Sequence, residues 1–394
     1  DLYRDVVPVA GTPDKPAFGG PGPIIDHAVR MVAFPQAGLW DRLAGEHALG
    51  PGPIDELAAL LVRFHDAAAP ADAHGRLGSP PLVRAQMREN LDELERLAAA
   101  GSDRTRVQAL RQWEADLFPR LEALMTERLA SGRVRECHGD LHLGNVAQID
   151  GRATVFDAIE FNDEFRWIDV ISEVAFLSMD LEERGRADFA HRFLNRYLEA
   201  TGDYAGLQCL PFFRVYRALV RAKVAGIRAA QEEPQAAQLE AKIRSQYLTF
   251  ARRASRPRRK QLLLMHGVSG SGKTWVSEAM LERIGALRLR SDIERKRLCG
   301  LPALTHSTAA PDSDLYDAAT TRATYLRLEQ LAQTILDAGF PLVVDAASLK
   351  LWQREIFRNL ARALHVPFRI VSCRASEPAL RKRVLAREQA GTDA

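Results

Sequence analysis

A glycine-rich loop in the second half of the chain has the residues needed to hold nucleotide phosphates. Residues 267–274 read GVSGSGKT and fit the spacing GxxxxGK followed by Ser or Thr at every fixed position. Glycines at these positions let the backbone turn until several amide N–H groups face one phosphate, and the start of a following helix favours anions. An apolar strand before the loop and a helical pattern after it are the surroundings that this motif requires. The loop therefore predicts a nucleotide-phosphate site, and a structural glycine turn is the weaker alternative.

Two side chains of this loop have distinct expected contacts. Lys273 is long enough to reach the β and γ phosphates, and the hydroxyl of Thr274 is a ligand for Mg²⁺. The residues predicted to bind the nucleotide are Gly267, Ser269, Gly270, Ser271, Gly272, Lys273 and Thr274.

Three polar residues outside the loop complete this candidate site. Asp345 ends the apolar segment PLVVD, where a carboxylate supports the Mg²⁺ shell. An ordinary turn aspartate is the alternative. Asp292 and Arg295 lie in RSDIERK, where the carboxylate would accept a proton from a substrate hydroxyl and the guanidinium would steady phosphate charge. A helix N-cap is the alternative role for Asp292.

A second segment with catalytic spacing lies in the first half. Residues 138–145 read HGDLHLGN, between two short predicted strands. Phosphoryl transfer needs one carboxylate facing the attacking hydroxyl and an amide five residues later facing a metal on the nucleotide phosphates. Asp140 is the predicted catalytic base, and Asn145 and Asp157 are the predicted Mg²⁺ ligands. A solvated turn is the alternative for this loop.

Bulk composition limits the kind of protein. The chain has 394 residues, of which 46% are hydrophobic and 27% charged, so it can bury a sizeable core and favours two domains. A net charge of +3 gives no general reason to expect nucleic acid or a membrane as partner. The four cysteines stand far apart, which argues against a zinc site or a disulfide framework and favours a reducing cytoplasm.

The periodicity of apolar residues differs between the two halves. The first 35 residues are rich in proline and glycine, and only residues 24–34 read as a strand. The pattern is then mainly helical to about residue 253, with Pro119 expected to kink or split one long helix. From Gln261 onward, apolar strands alternate with helices, which predicts a parallel sheet.

A basic run joins the two patterns. Residues 251–260 read ARRASRPRRK and interrupt the helical period. A solvated connector is the favoured interpretation, and contact with nucleic acid is the alternative. The predicted domains are residues 1–250 and 261–394, with a linker at 251–260.

The first half resembles the aminoglycoside-phosphotransferase and choline-kinase superfamily over about residues 1–250. The segments HGDLHLGN and FDAIEFN carry the resemblance. It implies that Val29 and Met31 border the adenine in a strand similar to the hinge between lobes, and that Asp169 braces the catalytic loop. That family's N-lobe supplies a lysine from a strand. Here Lys15 lies in the turn-like TPDKP, so most of the N-lobe is expected to be missing.

The second half resembles the P-loop small-molecule kinases, a group that includes gluconate, zeta-toxin-like and polynucleotide kinases. The phosphate loop and the SDIERK run carry the resemblance over about residues 261–394. It implies an arginine-rich lid beginning at Arg381, Arg383 and Arg387, and the chain is expected to end within that lid. Solvated helical arginines are the alternative. The order of the halves is similar to that of bacterial tandem proteins joining an aminoglycoside phosphotransferase to an ATP-binding domain.

The predicted fold is an α+β kinase-like C-lobe, mostly helical and with its N-lobe largely missing, followed by an α/β parallel-sheet P-loop NTPase domain. The expected function is transfer of the γ-phosphoryl group to a hydroxyl of a small molecule such as a sugar or amino sugar, with ATP and Mg²⁺ at both sites. One alternative is a nucleotide or nucleic-acid-end kinase acting through the second half. The other is an ATP-sensing regulatory protein with one non-catalytic half.

Overall fold

In a computed structural model of the protein, the structure describes residues 2–98, 101–302 and 317–390, with only the backbone at 387–390. None of the described helices is both long and apolar enough to cross a membrane. The strands are β1 (Tyr3–Thr12), β2 (Lys15–Phe18), β3 (Ile24–Met31), β4 (Val134–Glu136), β5 (Val146–Ile149), β6 (Arg152–Val155), β7 (Trp167–Asp169), β8 (Leu262–His266), β9 (Leu287–Arg290), β10 (Leu342–Asp345) and β11 (Phe368–Ser372). The α-helices are α1 (Trp40–Gly45), α2 (Pro51–Ala67), α3 (Pro80–Leu97), α4 (Ser102–Ala130), α5 (Asp163–Arg166), α6 (Val170–Glu183), α7 (Ala187–Thr201), α8 (Leu210–Gln231), α9 (Pro234–Ala254), α10 (Lys273–Ile284), α11 (Ser291–Leu298), α12 (Ala318–Asp337), α13 (Leu351–Ala363) and α14 (Glu377–Ala390).

The chain divides into two compact units. The smaller unit consists of Asp1–Leu49 and Leu143–Asp157, and the larger unit consists of Gly50–His142 and Ala158–Ala394.

A three-stranded antiparallel sheet in the order β2-β1-β3 opens the smaller unit. β1 pairs with β3 along most of its length but with β2 only from Val9 onward. Pro8 therefore lies where β1 has a neighbour on one side only, and such an edge position tolerates proline. The prediction of a single strand at residues 24–34 in this stretch is wrong, since β1 and β2 precede β3. Lys15 begins β2 and does not lie in a turn.

An antiparallel hairpin of β5 and β6 completes the smaller unit. Trp40, fully buried at the start of α1, donates from Nε1 to Oε1 of Gln148 on β5 over 3.4 Å. Phe34 and Phe156 pack edge to face with their ring centroids 5.2 Å apart. These aromatic contacts fix the hairpin beside the chain that leaves the three-stranded sheet.

The first part of the larger unit is built around α6. Every residue from Val170 to Leu181 in this helix is buried, and α7 and α8 pack against it. The helix begins after β7, because the side chain of Asp169 accepts from the amide of Ile171 and caps it. α4 runs without a break through Pro119, so the predicted split does not occur. Buried side chains on both sides of this proline hold the helix together.

A parallel sheet in the order β11-β8-β10-β9 forms the second part of the larger unit. The buried apolar run of β8 is typical of a strand covered on both faces. The glycine-rich loop follows β8, the SDIERK run follows β9, and Asp345 ends β10. Since the carboxyl ends of parallel strands share one edge, the three segments meet there. The predicted fold class, mainly helical first and then parallel α/β, is confirmed.

Helix α7 joins the helical part to the sheet by packing on α10 and on the edge strand β9. Asn195 of α7 donates to the carbonyl of Ala286 over 3.1 Å and accepts from the amide of Arg288 over 2.8 Å. Its side chain thus satisfies backbone groups that an edge strand leaves open. One turn later, Glu199 accepts from Nε of Arg288 over 2.8 Å, and both side chains are buried. The contact between the two parts therefore includes a buried ion pair and hydrogen bonds from a buried side chain to backbone groups.

Candidate functional site

The glycine-rich loop has the backbone shape that phosphate binding requires. Gly267, Gly270 and Gly272 have φ angles of 150°, 78° and 95°, which L side chains rarely adopt. A Cβ at Gly267 would also lie 2.5 Å from the carbonyl oxygen of Cys373. Gly272 is the N-cap of α10, so the loop opens directly onto a helix N-terminus. This arrangement directs backbone N–H groups and the positive end of the helix dipole toward an anion.

A cavity of about 210 Å³ beside the loop brings together the polar residues predicted from the sequence. Ser269, Gly270 and Gly272 of the loop also line this cavity, whereas Ser271 lines a neighbouring one and Gly267 lines neither. The wall also contains Lys273, predicted to bind the nucleotide, and the predicted catalytic and metal-binding residues Thr274, Asp292, Arg295 and Asp345. Their roles stay predictions, but their meeting in one cavity is what a phosphoryl-transfer site requires.

Asp345 is held as a buried carboxylate. Ser277 donates to its Oδ2 over 2.8 Å. Burial raises the pKa of Asp345, and the charge of Arg288 and the Ser277 hydrogen bond oppose this only in part. A carboxylate whose charge is poorly solvated gains strongly from a nearby cation. Together with the hydroxyl of Thr274 it offers the oxygen ligands that Mg²⁺ prefers, so the residues present fit that ion.

Asp292 is not the N-cap of its helix, so that alternative is wrong. It is the second residue of α11, and the N-cap is Arg290. Nη2 of Arg290 donates to Oδ2 of Asp292 over 2.6 Å, and Nε donates to Oδ1 over 3.3 Å. This fork fixes the carboxylate at the cavity wall.

A second, more open cavity of about 840 Å³ lies on the other side of the loop, bordered by α14. Arg383 lines it and donates from Nη1 to the carbonyl of Gly270 over 3.1 Å. Arg381 instead pairs with Glu377 one turn away. The side chain of Arg387 lies outside the described part of the chain. Of the two predicted lid arginines whose side chains are described, Arg383 is the one with a contact to the phosphate loop.

The HGD loop in the larger unit is clamped at its glycine. The amide of Gly139 donates to Oε1 of Glu173 over 2.8 Å, and its carbonyl accepts from Nη1 of Arg217 over 2.9 Å. Gly139 has a φ of 84°, and a Cβ there would lie 2.7 Å from the carbonyl oxygen of Phe165. The amide of Asp140 donates to Nδ1 of His138 over 3.3 Å, so this histidine contacts the backbone of the loop.

We predict that Gly139→Ala lowers the turnover of the first half by about 10²-fold, because misplacing a catalytic group by about 1 Å has an effect of that size. Gly185→Ala is the matched control: its φ of 79° is similar, but nothing lies within 4 Å of an added Cβ. The control isolates the cost of the backbone angle, about 1–2 kcal/mol of stability. Steady-state turnover and thermal unfolding of both variants test this, and equal turnover in the two variants would contradict the clamp.

Asp140 is set up to stay ionised. His142 lies on one side of it, with 3.5 Å between its Nε2 and the Oδ2 of Asp140. Burial would raise the pKa of Asp140, but the hydrogen bond and charge of His142 and the charges of Arg217 and Arg221 outweigh it. The pKa therefore lies below its ordinary value. An ionised carboxylate can orient a hydroxyl and accept its proton.

The pH dependence of turnover follows from this shift. Activity that needs ionised Asp140 is present above the pKa of this residue and is lost as the pH falls through it. Because that pKa is lowered, the fall in activity at the acid side of the pH profile is expected at a lower pH than for an ordinary aspartate. His142→Gln removes the main contact that lowers the pKa of Asp140, so the loss of activity on the acid side of the profile is expected to move to higher pH. A pH profile of kcat/KM tests this, with circular dichroism at each pH as a folding control. An acid side of the profile that does not move would show that His142 does not lower the pKa of Asp140.

A buried glutamate, not the predicted Asp169, contacts the loop that carries Asp140. Glu173 contacts Gly139 through Oε1, and its Oε2 lies 2.8 Å from Nε2 of His65, whose Nδ1 lies 2.8 Å from the hydroxyl of Tyr197. Asp169 instead forms a two-pronged ion pair with Arg128, at 2.6 and 2.8 Å. The sequence signal for Glu173 was present: it is a lone charged residue among the buried apolar positions at the start of α6.

One group of metal-ligand types stands out among the described residues. His65, Cys137 and Glu173 place their ligand atoms within 4.8 Å of one another. The imidazole nitrogens and the carboxylate already hydrogen-bond each other and their neighbours, and the Cys137 thiol donates to the carbonyl of Ile168 over 3.6 Å. The group therefore acts as a buried structural network that supports the loop.

The two predicted metal ligands of the first half lie in the smaller unit, at the ends of the β5–β6 hairpin. Asn145 is buried in a 3₁₀ turn, and its carbonyl accepts from the amide of Phe156 over 3.1 Å. Asp157 lies two residues beyond β6, has a φ of 62°, and donates from its amide to the hydroxyl of Tyr3 over 2.6 Å. Amide and carboxylate oxygens suit Mg²⁺, so the residue types fit the prediction.

Val29 and Met31, the predicted adenine neighbours, lie on β3 in the same unit. Their side chains are 48% and 36% exposed, so this strand presents apolar surface. Such a surface is what a nucleobase would cover.

A cavity of about 280 Å³ adjoins Asp140 in the larger unit. Its walls mix aromatic side chains, among them Phe161 and Phe165, with the polar side chains of Asn90 and Lys223. A mostly apolar wall with a few placed polar groups is typical of a small-molecule site.

Two family models match the chain. The model described as "Phosphotransferase enzyme family" matches residues 21–213, and the model described as "AAA domain" matches residues 262–394. The chain is also 30% identical over 377 residues to an uncharacterized protein of Mycobacterium bovis and to one of Mycobacterium tuberculosis. These alignments cover 93% of this chain and 74% of the relatives.

Two solved structures are similar to parts of it. APS kinase of Mycobacterium tuberculosis, solved with AMPPNP and APS, is 26% identical, covers 34% of this chain and 76% of its own, and has a TM-score of 0.26. Ethanolamine kinase of Plasmodium vivax is 11% identical, covers 59% of this chain and 66% of its own, and has a TM-score of 0.40.

Proposed function

Because this chain belongs to the same family as these mycobacterial proteins and pairs a phosphotransferase-family domain with a P-loop kinase domain, we propose that it transfers the γ-phosphoryl group of ATP to a hydroxyl of a small molecule. A sugar, amino sugar or similar metabolite is the acceptor class. The observation that carries the proposal is Asp140, an ionised carboxylate on a clamped loop at the wall of a cavity of small-molecule size.

In the first half, we assign the proton-accepting role to Asp140. It would orient the acceptor hydroxyl within the adjoining cavity and take its proton as the phosphorus–oxygen bond forms. Asn145 and Asp157 would hold Mg²⁺, and Val29 and Met31 would border the adenine. Mg²⁺ and ATP supply the phosphoryl group and the charge that offsets its oxygens.

In the second half, the loop from Gly267 to Thr274 would hold the nucleotide phosphates. Lys273 neutralises phosphate charge there, and Thr274 and Asp345 would hold Mg²⁺. Asp292 would accept a hydroxyl proton, and Arg295 would steady the charge on the transferring group.

The cysteines favour a reducing compartment. Cys137 and Cys209 are buried free thiols, and Cys299 and Cys373 are also free. We propose the cytoplasm as the place where the protein acts.

Transfer of label from γ-labelled ATP tests the proposal. The acceptor panel contains neutral sugars, amino sugars, amino alcohols, nucleosides and oligonucleotides with a free 5′-hydroxyl. Asp140→Asn and Lys273→Ala, each alone, assign any product to one half. A small-molecule product lost in one of the two variants is expected. Transfer to oligonucleotides alone, abolished by Lys273→Ala, would favour the nucleic-acid-end kinase. Nucleotide binding without any product would favour the ATP-sensing alternative.

A further inference from the structure

A strongly basic cavity of about 430 Å³ lies away from both candidate catalytic sites. Its wall is formed by the ends of α6 and α9, by residues of α7 and α8, by the basic linker and by the segments that follow α10 and precede β10. We call it the arginine cavity, because its lining contains five arginines and a single carboxylate, Glu182. The arginines are Arg214, Arg253, Arg256, Arg258 and Arg259.

The single carboxylate does not neutralise these arginines. Glu182 accepts from Arg214, and Nη2 of Arg253 donates to its other oxygen over 3.4 Å. His191 also lines the cavity, and its Nδ1 contacts a backbone carbonyl. With five guanidinium groups and one carboxylate, the lining carries a net charge of about +4 at neutral pH, since arginine stays protonated.

Arg214 is buried and incompletely paired. Its side chain is 5% exposed, and its Nε has no hydrogen-bond partner among the described residues. A buried guanidinium with an unmet N–H is costly, and a hydrogen bond to an anion in the cavity would offset that cost. The unmet donor therefore points to a ligand.

The pKa of Arg258 is also affected by the excess of positive charge in the cavity. Burial first, and then the charge of Arg214, lower the pKa of Arg258 to about 10. Its guanidinium carbon lies 4.7 Å above the ring of Phe340, which holds the side chain at the cavity. An anion in the cavity would relieve this repulsion.

We propose that the arginine cavity binds a small phosphate-bearing anion. Guanidinium groups recognise phosphate oxygens through paired N–H donors, and several of them converge on one concave space. A small molecule fits better than a nucleic acid, because Arg214 lies in the interior of the cavity and a polymer backbone would reach only outer arginines such as Arg256 and Arg259. The site is separate from the ATP sites of the proposed function.

The arginine cavity lies where the helical part meets the parallel-sheet part, so a bound ligand would affect the contact between them. The lining includes His191 and Arg214 from the helical part, and Gly285 and Pro341 from the parallel-sheet part. A phosphate-bearing ligand held there contacts both parts at once. It is therefore expected to stabilise the contact between them.

Calorimetric titration of inorganic pyrophosphate into the full chain tests the proposal. The titration is made in the Lys273→Ala background, which weakens competing binding at the glycine-rich loop. Arg258→Gln removes one cavity guanidinium, and Arg252→Gln is the matched control, because Arg252 is also an arginine beside the linker but does not line the cavity. We expect Arg258→Gln to weaken pyrophosphate binding at least tenfold and Arg252→Gln to leave it unchanged.

Thermal unfolding without pyrophosphate provides the folding control. Arg258→Gln is expected to raise the unfolding midpoint, since it removes a charge that its neighbours repel. An equal loss of pyrophosphate binding in both variants, or no loss in either, would overturn the proposal. A short oligonucleotide that binds more tightly than pyrophosphate and is weakened equally by both variants would also overturn it, and would identify the linker as a nucleic-acid surface.

Discussion

Asp140→Asn is expected to lower the rate of phosphoryl transfer by the first half by about 10²–10⁴-fold, the usual contribution of a positioned general base. Asparagine keeps the shape of the side chain and its hydrogen bonds to neighbours but cannot take the proton. The assay uses the best acceptor in the Lys273→Ala background, so that turnover by the second half does not contribute. Nucleotide affinity should change little, because Asp140 is assigned to the acceptor and not to the phosphates.

His74→Gln serves as the control for this measurement. His74 lies on an exposed turn in the same unit and does not line the cavity beside Asp140. The turnover of the His74→Gln variant should match that of the parent chain. A rate for Asp140→Asn within a few-fold of the parent would show that another group takes the proton. Loss of nucleotide binding in the same variant would assign Asp140 to the phosphates instead.

Glu199→Ala is expected to cost about 3–5 kcal/mol in the free energy of unfolding, the usual cost of leaving one charge of a buried ion pair without its partner. Arg288, its partner on β9, is fully buried. Burial would lower the pKa of Arg288, but the charge and hydrogen bond of Glu199 outweigh it, so that pKa lies above its ordinary value. Denaturant unfolding measures the cost.

The double variant Glu199→Leu with Arg288→Met tests whether the loss of stability comes from the unpaired charge of Arg288. Replacing both charges by apolar side chains of similar size is often neutral, so stability should largely return. Arg288 also lies 3.5 Å, through Nη1, from the hydroxyl of Ser277, which holds Asp345. Weaker Mg²⁺-dependent nucleotide binding in the double variant would show that the pair also positions Asp345. A small cost for Glu199→Ala alone would mean that water reaches Arg288.

Local sequence signals were enough to predict the parallel-sheet part. β8 and β10 are short apolar runs, β9 alternates leucine with arginine, and β11 is mainly apolar; each strand is followed by turn residues or a helical period. The glycine-rich loop has a fixed spacing because the backbone geometry at Gly270 and Gly272 admits no other residue type without strain. The convergence of Asp292 and Asp345 followed from the rule that parallel strands share a carboxyl edge.

The features that were missed depend on pairing between distant residues. β1 contains Pro8 and Gly11, which read as loop residues until the sheet shows that β1 lacks one neighbour beside Pro8. Glu173 and Asp169 are both acidic residues near the start of α6, and only the folded chain shows which of them contacts Gly139. The pairing of Glu199 with Arg288 joins residues far apart in sequence, so no local period could indicate it.

The most direct test of two ATP sites is the binding stoichiometry of a non-hydrolysable ATP analogue with Mg²⁺, measured by calorimetry on the parent chain and on Lys273→Ala. Two bound analogues in the parent and one in the variant are predicted, since Lys273 belongs only to the loop of the second half. A single site in the parent that disappears in Lys273→Ala would contradict nucleotide binding by the first half. Binding that does not respond to Lys273→Ala would contradict the assignment of the glycine-rich loop.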